Sequence, residues 1–250
     1  MSTNNIYLTS PCNMATAYSK CARYMRKIFK FNQMDFEFAL WQMFYLFANP
    51  QKLIKLFRAR KLAKSQYARD DPAFLVLFTG ALSITSIAFS IVLRLSFFQF
   101  LQCLLVVIFI DCIIFGMIVA TLFWYLTNTF LKPKSNPEDV EWGFCFDIHL
   151  NAFFPPLILL HFVQLFFYNG IISHDWTISI VLGNTFWLCS CLYYFYITFL
   201  GYNSLQILNN TRYFLLPVPW IVCFYVISLL MQWNITHNLM NFYRDLYNLK

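Results

Sequence analysis

From Ala73 to Leu131 the sequence carries only two charges, Arg94 and Asp111, and from Ile148 to Thr211 only one, Asp175. Crossing a bilayer as a helix takes roughly 20 apolar residues, and these runs are longer than that. The pattern predicts five spans, at about 73–93, 104–126, 148–168, 176–200 and 213–231. The fold class is therefore all-α and integral to a membrane. Asp70-Asp71-Pro72 supplies an acidic cap and a first-turn proline for the first span. Gly80, Ser83, Ser86 and Ser90 give that span a small-residue face suited to helix packing. The second lies within 97–131, longer than the bilayer needs, so it should tilt or protrude. The third should bend at Pro155-Pro156.

Before residue 73 the pattern changes. Residues 1–21 read as a disordered polar tail, and 22–72 as a basic helical module on the membrane surface. In RYMRKIFKF, helical spacing puts Tyr24, Met25, Ile28, Phe29 and Phe31 on one side and Arg23, Arg26, Lys27 and Lys30 on the other. Such a helix lies in the headgroup plane, the alternative being a surface helix packed on protein. Asp35 can cap a helix over Phe36–Ala48 that stops at Asn49-Pro50. At about 20 Å it is too short for a core of about 30 Å, so it is interfacial, re-entrant or packed on the bundle. A block with Lys52, Lys55, Arg58, Arg60, Lys61, Lys64 and Arg69 follows. Each of these cations contributes roughly 1 kcal/mol beside an anionic leaflet. Residues 232–250 read as a short tail.

Composition agrees: 60% of residues are hydrophobic and 12% charged, and 30 are Phe. A soluble domain carries roughly 25% charged residues. The net charge of +7 is concentrated early, with 12 of 18 Lys and Arg before residue 70. It marks a surface patch facing anionic lipid or a partner, not a nucleic-acid-binding domain. RNA binding by the charge-aromatic stretch is the weaker option, since no RNA-binding motif is present. A cytosolic N-terminus and lumenal C-terminus put 15 cations on the cytosolic side against Arg94, Arg244 and Lys250 on the other. No signal-peptide pattern is visible in the first 35 residues. The eight Cys show no zinc spacing and read as packing thiols. Sequons begin at Asn209 and Asn234. The first would be cytosolic and the second too close to the membrane, so neither is expected to carry a glycan.

Candidate chemistry is sparse. Asp111 is the one acid deep in a span and should face protein, with Asn184 or His161 as candidate partners. The third span carries Asp147, His149, Asn151, His161 and Gln164, a polar seam in which Asp147 and Asn151 share a face, as do His161 and Gln164. His174 and His237 belong to the opposite side. No metalloprotease, nucleophile-elbow, phosphate-loop or paired-cysteine motif occurs. Catalytic residues, metals and cofactors are not expected.

The blocks FNQMDFEFALWQMFYLFANPQK, ARDDPAFLVL, DVEWGFCFDIHLNAFFPPLILLHFVQLFF, GNTFWL and YYFYITFLGY together resemble the uncoordinated-fifty family of eukaryotic Golgi membrane proteins, from about Tyr24 to the C-terminus. The resemblance implies a multi-pass protein with a cytosolic N-terminus, resident in the Golgi, with the inner nuclear membrane as a second location. It implies a role in trafficking membrane proteins, notably delivery of nicotinic acetylcholine receptors to the cell surface. It also implies association with Arf guanine-nucleotide exchange factors, and an RNA-binding member is known. The family has no known catalytic residue. Three readings follow: a non-enzymatic adaptor recruiting such an exchange factor through residues 22–72, a small transporter or lipid-handling protein built on Asp111 and the third span, and an intramembrane chaperone working through Gly80, Ser86 and Ser90.

Overall fold

The computed structural model describes residues 24, 26–28, 30–53, 69, 71–136, 138–174 and 176–246. The tail expected over 1–21 lies outside them, as do Arg23, Lys55, Arg58, Arg60, Lys61 and Lys64. The described residues are mainly helical, with no strand among them. A short α1 (Phe36–Ala48) comes first. Five helices long and apolar enough to cross a membrane follow: α2 (Ala73–Leu93), α3 (Phe97–Leu131), α4 (Trp142–Ile172), α5 (Thr177–Asn203) and α6 (Thr211–Leu230). Last comes α7 (Ile235–Leu246).

Two aspartates set the first two helix starts. Asp35 Oδ1 accepts the Phe38 N–H at 2.9 Å and caps α1. Asp71 Oδ1 accepts the Ala73 N–H at 3.1 Å, while its Oδ2 accepts the Asp35 N–H at 2.8 Å. The two starts are thereby tied together. Arg94 ends α2 in the left-handed region (φ 55°). A Ser96–Gln99 capping box then opens α3, with the Ser96 N–H donating to Gln99 Oε1 at 2.8 Å.

The α3 helix is 35 residues long and is interrupted by π-helical turns over Val106–Ile114 and Thr127–Leu131. Its excess length carries the next loop. Asn128 pairs with the backbone of Val140 through both amide atoms, at 2.8 and 3.1 Å, and Lys132 pairs with Asp139. In α4 the prolines sit inside the helix, where each lacks the N–H that the carbonyl four residues earlier would accept. Beyond them the helix passes into π-helical turns, over Leu159–Val163 and again over Tyr168–Ile172.

The α4 helix is the centre of the bundle and packs on α1, α2, α3 and α5. Cys145, Ile148, Leu150, Ala152 and Leu157 are buried there. The α6 helix packs on α5 and leaves Trp220 and Leu230 exposed, as apolar side chains facing lipid can be. Gly80 and Ser86 do not share a face of α2. Gly80 is exposed and Ser86 is buried, because six helical residues rotate the chain by about 240°.

The short α1 lies against the bundle. It buries Ala39, Gln42, Met43 and Leu46 and exposes Leu40, Trp41 and Phe44. Tyr193 Oη of α5 donates to the Leu46 carbonyl at 2.6 Å, and the Phe47 ring meets Phe154 and Tyr193 at 5.9 and 6.3 Å. Phe31 does not continue the helical turn that precedes it. It opens a separate 3-10 turn, Phe31–Gln33, and stacks on Phe36. The C-terminal tail contains α7, which folds back on the bundle. Thr236 and Met240 are buried, and the Tyr243 ring packs edge-on against Phe89 of α2 at 5.3 Å.

Candidate functional site

Asp147 and Asn151, one turn apart on α4, present a polar pair to the N-terminal segment. Arg69 lies across both. Its backbone N–H donates to Asp147 Oδ2 at 2.7 Å, its Nη2 donates to Asn151 Oδ1 at 2.7 Å, and its Nε sits 3.7 Å from Asp147 Oδ1. The guanidinium also lies 4.2 Å over the Phe74 ring. From α1, Gln42 Nε2 donates to the same Asn151 oxygen at 3.1 Å. The Arg69 and Asp147 side chains are only 5% and 9% exposed. Burial pushes the Tyr24 phenol above its usual range, and the nearby Asp147 carboxylate adds to the effect. Two separate stretches, at Gln42 and Arg69, thus converge on two residues of α4.

Chemically this is an anchor. A buried carboxylate is tolerated when it is paired and hydrogen-bonded, and a planar guanidinium can serve a carboxylate and an amide oxygen at once. The cluster offers no nucleophile. Among the described residues no three His, Cys, Asp or Glu side chains converge as metal ligands would.

The remaining seam residues fall elsewhere. His149 Nδ1 lies 2.9 Å from Tyr194 Oη of α5, and the ring stacks on Phe153. Its edge packs closely on Gly116 of α3, where an added Cβ would come within 3.2 Å of it. Toward the other end of α4, Gln164 Nε2 donates to Thr236 Oγ1 of α7 and to the Gly183 carbonyl of α5. Trp187 Nε1 donates to the same hydroxyl at 3.1 Å. Asn184 Nδ2 donates to Ser228 Oγ at 2.9 Å and to the Trp233 carbonyl at 2.8 Å, and its Oδ1 accepts the Ile235 N–H at 3.1 Å. His161 borders a cavity shared with Gln164.

The seam is therefore two clusters, one at Asp147 and one joining α4, α5, α6 and α7. Asp111 belongs to neither. It is exposed, because the π-helical stretch of α3 turns Val107 and Cys112 inward instead. Asn184, its expected partner, is bonded to Ser228, Trp233 and Ile235. Asp111 comes near α7, where burial pushes the Tyr243 phenol up and the Asp111 carboxylate adds to the shift.

Of the basic candidates that are described, Arg26, Lys30 and Lys52 are exposed and Lys27 is half-buried. Lys52 Nζ donates to Tyr45 Oη at 2.6 Å and lies 4.0 Å over that ring. Gln42, Ser228 and Thr236 were not legible as site residues. Arg69 read only as one more cation of the basic block. The one available signal was its place directly before a helix cap.

The fold and its buried anchors define an all-α membrane protein with five helices able to span. The UNC-50 family matches residues 24–244. The unc-50 homolog of Drosophila melanogaster is 54% identical over 229 residues, covering 92% of this chain and 83% of that protein. The human unc-50 homolog is 49% identical over 230 residues, covering 92% and 89%. Unc-50 homolog B of Xenopus laevis is 47% identical over 242 residues, covering 96% and 93%. No solved structure matches. The chain belongs to the UNC-50 family.

Proposed function

We propose that this protein is a non-enzymatic adaptor of the Golgi membrane that serves the trafficking of membrane proteins, among them nicotinic acetylcholine receptors. Its N-terminus is cytosolic and its C-terminus lumenal. Residues 22–72 lie on the cytosolic leaflet, hold anionic lipid through their cations and recruit an Arf guanine-nucleotide exchange factor. The observation that carries this reading is the Arg69 anchor. It clamps the end of the basic block to α4. The asymmetry of 15 cations against 3 supports the orientation. The outward position of Asp111 gives less support to a transport path built on that residue.

The test is rescue in cells lacking the protein, comparing wild type with a variant neutralised at Arg58, Arg60, Lys61 and Lys64. Both must reach the Golgi. The readouts are Golgi-bound exchange factor and delivery of receptor to the cell surface. Only wild type should restore them. Equal rescue by the variant overturns the adaptor reading and moves the function into the bundle. RNA binding that persists at high salt would favour that partner over simple charge attraction.

A further inference from the structure

Asp111 sits on the outer face of the bundle at a depth where an acid is costly. The α2 helix has 21 residues with which to cross and ends at Leu93, and α3 begins at Phe97. The start of α3 therefore lies at the same membrane surface as the end of α2. Its excess length projects at the other end. Asp111 follows Phe97 by 14 residues, so it lies about 20 Å below that surface in a core of about 30 Å.

At that depth a carboxylate needs a partner, and lipid tails offer none. Aspartate has a single methylene and cannot reach the headgroups as Lys or Arg would. Among the described residues no hydrogen bond or ion pair holds the Asp111 carboxylate. Asn184 is bonded elsewhere, and the cavity beside His161 does not include Asp111 in its lining. The inward stripe of α3 is taken by Val107, Cys112 and Gly116. Around Asp111 the exposed side chains Ile110, Ile114, Phe115 and Ile118 form an apolar face. The partner must therefore approach from outside the bundle.

Charge decides which partner fits. Across α2, α3, α4 and α5 this chain has no Lys or Arg, and α6 has only Arg212 in its first turn. A second copy thus has no mid-span Lys or Arg to offer, and pairing like faces would bring two carboxylates together. We propose that Asp111 and the α3 face around it dock the spanning helix of a different membrane protein, one carrying a Lys or Arg at matching depth. The site lies in the bundle and does not depend on recruitment by residues 22–72.

The test places the full chain, with a dye at its C-terminus, in nanodiscs with a dye-labelled spanning peptide of Leu and Ala. One peptide carries a central Lys and the other Leu at that position. Energy transfer should show the Lys peptide associating about tenfold more tightly, the size of one good polar contact between membrane helices. Asp111→Asn and Asp111→Leu should erase the difference and melt no lower than wild type. Asp111→Lys should reverse the preference, favouring a peptide with a central Asp. Ile114→Cys should crosslink to a Cys one turn from the peptide's Lys, and Trp220→Cys on α6 should not. Equal association of the Lys and Leu peptides, or a preference that survives Asp111→Leu, overturns the site. Early melting of both neutral variants would show that the carboxylate serves this bundle, and it overturns the proposal too. So does energy transfer between differently labelled copies that Asp111→Leu abolishes, since the occupant would then be a second copy.

Discussion

Asp147 is held by both the main chain and the side chain of Arg69, a residue 78 positions earlier: Oδ2 accepts the Arg69 N–H at 2.7 Å, and Oδ1 faces its Nε at 3.7 Å. Removing one partner strands the other charge in a buried site. Arg69→Ala should cost about 3–5 kcal/mol, seen as a large drop in melting temperature in detergent. Asp147→Asn should also destabilise, because the guanidinium loses its counter-charge. Arg69→Met/Asp147→Leu removes both charges and should melt above either single variant. If it melts no higher than they do, the two residues are not an energetic pair.

At Gly201, α5 packs tightly against Ile148 of α4. A Cβ there would meet Ile148 Cδ1 at 2.5 Å and Cγ2 at 3.0 Å. Gly201→Ala should therefore destabilise by about 1–3 kcal/mol through overpacking. Ile148→Val removes the nearer atom and should recover part of the loss in the double variant. Gly80 is the control, since nothing lies within 4 Å of a Cβ added there. Gly80→Ala should hold or raise the melting temperature, because alanine favours a helix by roughly 0.5–1 kcal/mol over glycine.

The number of spanning helices was legible because the length of an apolar run reports directly on bilayer thickness. The bounds of α1 were legible through Asp35 and Asn49-Pro50. Helix orientation was not. A helix facing lipid has no polar outer face, so periodicity does not separate lipid from core, and Ser86 and Asp111 could not be aimed. The π-helical turns in α3 shift the register further around Asp111. The Arg69 anchor was hidden for another reason: charge counting treats Arg69 and Lys64 alike, and only a contact across 78 positions distinguishes Arg69. The α7 pattern was present, since Thr236, Met240 and Tyr243 recur at helical spacing. It was masked by polar neighbours that resemble a solvated tail.

The sequon at Asn234 should stay unmodified for a structural reason beyond its closeness to the membrane. Asn234 Nδ2 is buried and donates to the Ile172 carbonyl at 3.0 Å, while Oδ1 accepts the His237 N–H at 3.0 Å and caps α7. A glycan on that nitrogen has nowhere to go. Enzymatic removal of N-glycans should leave the electrophoretic mobility of the cell-derived protein unchanged. Asn234→Ala should lose the cap and cost about 1 kcal/mol. A mobility shift that Asn234→Gln abolishes would show that α7 leaves the bundle in the cell.

Asn184 joins three elements with one side chain, bonding Ser228 of α6 and the backbone at Trp233 and Ile235 that leads into α7. Hydrogen bonds between membrane helices are worth roughly 0.6–2 kcal/mol each. Asn184→Leu removes three and leaves the Ile235 N–H and Ser228 without that partner, so a loss of roughly 2–4 kcal/mol is expected. The loss should be local as well as global. Amide hydrogen exchange should speed up most across 235–246, because α7 is held to the bundle by this residue and by the Gln164–Thr236 bond next to it. Asn184→Gln should not rescue the defect. The extra methylene would press on a packed junction, where even a Cβ on neighbouring Gly183 would come 3.2 Å from Asn234. Uniform acceleration across α2 to α6 with no excess at α7 would show that Asn184 supports the bundle generally and not the return of the C-terminal helix.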